Sequence, residues 1–273
     1  MNQEPSFSNV QQLLVNYSTM TSDKVLYELL YSILPQYIKN NGRTENIRAI
    51  YNEFLLKYYP NETCIKSSFI NQVLLQGKSH VTIFELPVGT SRVDLCKVNG
   101  KSIAYEIKTD LDNFNRLDKQ LSDYANIFEY SYLICSKSNL DKVITILPEN
   151  CGIYIYSFTK TRKIKFKLVK NSIHSEKISA KKQLEIFSKK ELINHFKFLE
   201  SLSKESNIQN IFTTYTSDQI NNTFKQMLKL RYIKQWSFIK ENHDEIYEID
   251  YQWFYKTQAS PNIIYNRNIT RLI

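Results

Sequence analysis

The sequence predicts an α/β fold, a mixed β-sheet core flanked by helices, with helical additions at both ends. Three observations carry that prediction. Two alternating runs, residues 92–97 and 103–108, are separated by Asn99-Gly100, the strongest short hairpin signal a sequence offers. Apolar strand-length runs then alternate with a helical period between residues 130 and 158. On either side, residues 22–75 and 179–240 carry apolar residues at helical spacing.

In chain order, residues 1–20 are expected to be loosely ordered or a short helix. Ser22-Asp23 can cap a helix carrying Val25, Leu26, Leu29, Leu30 and Ile33. Ile47, Ile50, Tyr51, Leu55 and Tyr58 make one stripe of a helix over 44–58. Both are expected to pack on the core as an N-terminal extension, residues 1–59. Pro60-Asn61 starts a third helix over 62–75, striped by Ile65, Phe69, Ile70, Val73 and Leu74, and residues 81–86 read as the first strand.

In the hairpin that follows, register decides whether the carboxylates of Asp94 and Glu106 meet. A two-residue Asn99-Gly100 loop pairs Asp94 with Tyr105 and turns Glu106 to the opposite face. A three-residue loop, Val98-Asn99-Gly100 with Gly100 left-handed, pairs Asp94 with Ala104. It puts Asp94, Glu106 and Lys108 on one face and Val93, Leu95, Ile103, Tyr105 and Ile107 on the other. The three-residue loop is predicted, because it yields one charged face and one apolar face.

Asp110 and Asp112 are expected to cap the next helix, where Phe114, Leu117, Leu121, Tyr124 and Phe128 form an apolar stripe. Arg116, Gln120 and Tyr124 recur every four residues on a neighbouring stripe. Residues 130–135 read as a strand, 139–147 as a helix and 152–158 as a strand. Residues 160–170 alternate lysines with Ile, Phe and Leu, a strand with one basic face. It is either an edge protected by lysines or a DNA contact. From Ser179, Leu184, Phe187, Leu192, Phe196 and Leu199 support two helices. Residues 201–210 read as a linker. Ser217-Asp218 caps a helix reaching about Lys240, with Phe224, Met227, Leu228 and Arg231 along it. Lys225, Lys229, Lys234 and Lys240 beside Tyr232 and Trp236 read either as core plus solvated lysines or as a basic, aromatic nucleic-acid surface. The final segment has no readable period.

Composition bounds the function. A hydrophobic content of 42% in 273 residues is enough for a packed core, and a formal charge of +9 points to a polyanionic partner. The four cysteines show no C-x-x-C spacing and read as buried or free thiols in a reducing compartment. The four histidines form no zinc pattern, five glycines leave no phosphate-cradling loop, and no apolar run approaches a membrane span. The expected location is cytoplasmic, with no membrane partner.

Two carboxylates brought together in a partly buried cleft repel each other, and a divalent cation between them removes the conflict. Oxygen donors suit magnesium or manganese. Lys108, two residues from Glu106 on the same face, can hold or activate a water and stabilise developing negative charge. Acid, acid and lysine around a hard cation make a site for attacking a phosphodiester. The plainer readings are a solvated strand aspartate and a surface Glu-x-Lys ion pair.

Asp94 followed by Glu106-Ile107-Lys108 resembles the signature of the PD-(D/E)XK nuclease superfamily. Gln120-x-x-x-Tyr124 resembles the motif that follows it in the RecB-like branch. The longer string, Arg92-x-Asp94, Tyr105-Glu106-Ile107-Lys108-Thr109, then Arg116-Leu117-x-x-Gln120-x-x-x-Tyr124, is similar to an uncharacterised bacterial and prophage-associated family within it. Val93 precedes Asp94 where the superfamily's name has proline.

The resemblance, which covers about residues 60–160, implies a restriction-endonuclease-like core over residues 60–170; the helical spacing beyond it reads as a C-terminal helical region over 171–273. It implies hydrolysis of DNA phosphodiester bonds with Mg2+ or Mn2+, in phage defence, a prophage or a mobile element. Asp94, Glu106 and the Ile107 carbonyl would be metal ligands, with Lys108 positioning the attacking water. Gln120 and Tyr124 would orient the active site or the phosphate, and Arg92 and Arg116 would contact nucleic acid. An acidic residue on the first core helix often faces the metal in this superfamily, which makes Glu62 a candidate; a plain helix-dipole contact explains it equally. Glu85, on the first strand, is the other candidate acid, or an edge charge. For Tyr124 alone, core packing is the competing explanation. The alternative function is a catalytically silent nuclease-fold module that binds DNA or protein. A homodimer or a partner protein could dock on the C-terminal helices.

Overall fold

The computed structural model describes residues 4–37, 46–77, 79–197 and 200–269. It is an α/β structure with six strands in sequence order in one sheet. They are β1 (Val81–Val88), β2 (Ser91–Asn99), β3 (Lys101–Lys108), β4 (Tyr130–Ser136), β5 (Gly152–Phe158) and β6 (Ile164–Lys170). The sheet is mixed. β1 to β3 form an antiparallel meander, whereas β4 lies parallel to β3 and β5 parallel to β4. Parallel neighbours need a crossover. The helices Leu117–Ala125 and Leu140–Ile144 lie in those two crossovers.

The two antiparallel turns fix the meander. Gly89, at φ 58°, opens a two-residue turn closed by the Val88↔Ser91 pair, the glycine-first arrangement that suits strand twist. Gly100 sits at the apex of the second turn at φ 67°, with Asn99 facing Lys101 and Val98 facing Ser102. The loop is therefore Asn99-Gly100-Lys101, one residue later than expected, and Cys96 rather than Asp94 faces Ala104. The turn is anchored from outside: Lys225 Nζ donates to the Gly100 carbonyl at 2.8 Å, and the Ser102 N–H donates to Glu129 Oε2 at 2.6 Å. Moving the loop by one residue moves the register by two, so each side chain keeps the face expected for it.

The chain clusters into two units, and neither is continuous in sequence. One comprises residues 77–156 and 166–236, the other residues 1–76, 157–165 and 237–273. The second unit has its own apolar core, in which Val10, Leu13, Leu26, Leu30, Ile47, Ile50, Tyr51 and Phe54 are buried together. Three of its helices begin at a short polar side chain that caps them. Ser6 accepts from the Asn9 N–H, Asn46 from the Arg48 N–H and Asn61 from the Cys64 N–H. Those three are Phe7–Val15, Ile47–Tyr58 and Glu62–Phe69, the last continuing into a π turn over Ile70–Leu74; Asp23–Ile33 follows Ser22, whose side chain makes no capping bond. Residues 44 and 45 of the expected second helix lie outside the described residues.

Within that unit, Asp250 is fully buried and accepts hydrogen bonds from Tyr17, Thr19 and Tyr265 at 2.6–3.0 Å. Arg48 pairs with Asp23 at 3.0 Å and donates to the Tyr17 hydroxyl. The unread C-terminal segment thus holds helices Tyr251–Thr257 and Pro261–Ile269 that share this polar centre with the N-terminal ones.

Three further expectations change. The helix after β3 begins at Leu117 rather than near Asp110. Asp110 instead accepts from Ser136, Ser138 and Asn139, and Asp112 accepts from the Thr109 N–H and hydroxyl, so both fold the connecting loop. The expected linker contains the helix Lys204–Thr214, capped by Ser203 and burying Asn207, Ile208 and Ile211. Lys225, a solvated lysine under one reading of the helix Ser217–Asn242 and a nucleic-acid contact under the other, is buried, and Trp236 is buried as the core reading has it. Leu199 lies outside the described residues.

The buried Lys225–Glu129 pair, 2.7 Å apart, ties that long helix to the sheet. Burial alone raises the Glu129 carboxyl, but hydrogen bonds from Lys225, the Ser102 N–H and Asn221 carry it below its ordinary value. A depressed carboxyl contributes stability above its unfolded pKa and loses it as pH falls through the folded one. Lys225→Met leaves that carboxylate buried without its cation. It is expected to cost about 3 kcal/mol at neutral pH by urea unfolding, with the deficit shrinking below the carboxylate range. A pH-independent deficit would show that lost packing, not charge, sets the cost.

Candidate functional site

Alternation along β2 and β3 brings the expected residues together. Asp94 is buried, and its Oδ2 accepts the Ile107 N–H at 2.7 Å, just beyond the last ladder pair, Leu95↔Tyr105. Asp94 is thus locked to the strand that carries Glu106 and Lys108.

Glu106 is 1% exposed, and donors meet both of its oxygens. Oε1 accepts from Gln120 Nε2 at 2.6 Å and pairs with Lys108 Nζ at 2.8 Å, while Oε2 accepts from the Tyr124 hydroxyl at 2.6 Å. Gln120 and Tyr124 are four residues apart on the helix Leu117–Ala125, so one helical face delivers both. The Tyr124 hydroxyl also lies 2.9 Å from the Arg92 carbonyl, joining the helix to β2. Tyr124 is fully buried, so it packs in the core and touches the site at once. Burial, then the Glu106 charge, push its phenol far above the ordinary range.

Burial acts to lower the Lys108 ammonium. The Glu106 charge and hydrogen bond, with Asp94 and Asp112 nearby, outweigh it and leave the pKa above its ordinary value. Beside these carboxylates Lys108 is therefore held as a cation, able to donate a hydrogen bond. Gln120 Oε1 is buried without a hydrogen-bond partner among the described residues. Such an acceptor is normally met by a water or a ligand.

Glu85 lies across from Asp94. The β1–β2 ladder runs through Phe84↔Leu95 and Leu86↔Val93 but skips the pair between them. At that position Glu85 takes φ 55°, a left-handed conformation that costs a non-glycine residue about 1–2 kcal/mol. Carboxylate oxygens of Glu85 and Asp94 lie within 4.8 Å of each other. Arg92 Nε pairs with Glu85 Oε2 at 2.5 Å, the arginine side chain 64% exposed and the glutamate 7%. Two carboxylates this close, Asp94 buried and Glu85 half-buried, form a hard oxygen donor set of the kind that can hold magnesium or manganese.

The remaining expected residues are placed as follows. Ile107 is buried in β3, with its N–H on Asp94. Arg116 is exposed at the N-cap of the helix bearing Gln120. Glu62 belongs to the other unit, where it opens the helix Glu62–Phe69 and pairs with Lys66 at 2.7 Å. Lys165 and Lys167 are exposed on β6. All four cysteines are free and buried, and burial pushes Cys64 and Cys135 up to about 12 and Cys151 to about 11. None of these three is a thiolate nucleophile at neutral pH. The sequence did not reveal the Arg92–Glu85 contact; opposite charges set diagonally across β1 and β2 are its signal once the register is known.

Comparison with known proteins gives three findings. In a solved structure, a protein of unknown function from Silicibacter pomeroyi is similar over 62% of this chain and 89% of its own, at 13% identity and a TM-score of 0.32. Protein cII of Enterobacteria phage P4 is 30% identical over 78 residues, 29% of this chain and 29% of that protein. The match thus spans under a third of the phage protein's length. Residues 56–251, more than two thirds of the chain and including every site residue above, match the family described as bacteriophage P4 protein cII. On that match, the chain belongs to the bacteriophage P4 protein cII family.

Proposed function

We propose that the protein is a metal-dependent nuclease of PD-(D/E)XK type that hydrolyses phosphodiester bonds in DNA. The observation that carries this reading is the convergence of Asp94, Glu106 and Lys108 on one face of the β2–β3 hairpin, with Gln120 and Tyr124 holding Glu106 from the next helix. Asp94 and Glu85 would hold Mg2+ or Mn2+, with Glu106 and the Ile107 carbonyl alongside. When bound, the cation supplies Lewis-acid stabilisation of the phosphate and a more acidic water.

The chain's own groups do the rest. The Lys108 ammonium donates to the phosphate or to the incoming water and offsets negative charge as it develops. Gln120 and Tyr124 keep Glu106 in one orientation. Arg92 and Arg116, exposed, meet the phosphate backbone, and the formal charge of +9 favours that encounter. A prophage setting is in keeping with the phage family. A cytoplasmic location belongs to the same reading: among the described residues no helix is long and apolar enough to cross a membrane. A second copy or partner would dock on the helix Ser217–Asn242, where Leu230 and Ile233 are exposed.

One observation favours a second reading, a nuclease-fold module that binds without cutting. Both Glu106 oxygens are already engaged by protein donors. Incubation with plasmid, linear and single-stranded DNA in Mg2+ or Mn2+ separates the two, since only the nuclease yields products.

In that assay Asp94→Asn, Glu106→Gln and Lys108→Ala are each expected to lower cleavage by about a hundredfold or more, with circular dichroism unchanged. EDTA is expected to abolish it, and undiminished cutting in excess EDTA would contradict the proposal. Tyr124→Phe removes one donor to Glu106 and is expected to cost about ten- to a hundredfold in rate or Mn2+ affinity; wild-type values for both would mean that Tyr124 serves packing alone.

A further inference from the structure

Arg92 and Glu85 carry an inference that rests on the metal-dependent reading and goes beyond it. We infer that Arg92 is an internal counter-cation that couples metal binding to nucleic-acid binding at this site. The Glu85 side chain is 7% exposed and lies close to the buried Asp94, so its charge is favoured by a neighbouring cation whenever no metal is present. Arg92 supplies one, at 2.5 Å.

The arginine is anchored at one end and open at the other. Its carbonyl lies 2.9 Å from the Tyr124 hydroxyl, against which the backbone packs, while its side chain is 64% exposed. A guanidinium presents several donors in a planar fork, and phosphate is one of its best partners. A nucleic-acid phosphate therefore competes with Glu85 for Arg92, and a divalent cation competes with Arg92 for Glu85. Each competitor removes the other's rival, so binding of the two is mutually favourable. The left-handed backbone at Glu85 fits this role, because strain kept at one strand position aims a carboxylate where a regular ladder pair would not.

The test is calorimetric titration of MnCl2 into the full chain at fixed ionic strength, with and without a short phosphorothioate DNA duplex that resists cleavage. In the wild type the duplex is expected to tighten Mn2+ binding by roughly fivefold or more, within the usual range of coupling between sites. Arg92→Gln is expected to bind Mn2+ more tightly than wild type without DNA and to lose most of the coupling. Arg92→Lys, which keeps the charge but not the fork, is expected to fall between. Equal coupling in wild type and Arg92→Gln overturns the inference and leaves the metal site standing. Absence of Mn2+ binding in every protein overturns both.

Discussion

A carboxylate taken almost wholly out of water must be met by donors on each oxygen, or it does not stay charged. Glu106 meets that demand with three side chains, and the local architecture follows from it. Lys108 comes from the same strand, two residues on. Gln120 and Tyr124 come from one face of the crossover helix, which sets that helix's rotation and height over the sheet. Tyr124 then reaches the Arg92 carbonyl, so β2, β3 and the helix share one polar junction. Asp94, on the Ile107 N–H, closes it from the other strand.

Two other buried charges organise the rest. Glu129, held by Lys225, Asn221 and the Ser102 N–H, joins the long C-terminal helix to the hairpin whose far end carries the site. Asp250, with Tyr17, Thr19 and Tyr265 around it, gathers N-terminal and C-terminal segments into one unit. Burial raises the Asp250 carboxyl, against the hydroxyl hydrogen bonds and Arg48, which lower it. In each case a group that is costly to bury fixes which segments pack together, which apolar contacts alone specify less sharply.

Much of this was legible because it is local. Period-two alternation and Asn99-Gly100 gave β2, β3 and the shared face of Asp94 and Glu106, although Gly100 took the apex and shifted the register by two. The face survived because side-chain direction depends only on the parity of the register. Longer-range causes were not legible. The expected linker is helical because Ile208 and Ile211 find a buried surface that their polar neighbours conceal. The helices at 251–257 and 261–269 are too short to show a period. Lys225 reads as a solvated charge until Glu129, 96 residues earlier, is seen to receive it. Glu85 gave no warning of its left-handed backbone, since glycine and asparagine are the residues that announce one.

In the proposed nuclease, carboxylates from adjacent strands share one hard cation. Crystals soaked in MnCl2 and measured at the manganese absorption edge test that most directly. A single strong anomalous peak is expected within about 2.3 Å of carboxylate oxygens from Asp94 and Glu85, with Glu106 next to it. No peak at saturating manganese, or a peak held by other residues while Arg92 still grips Glu85, would contradict that arrangement.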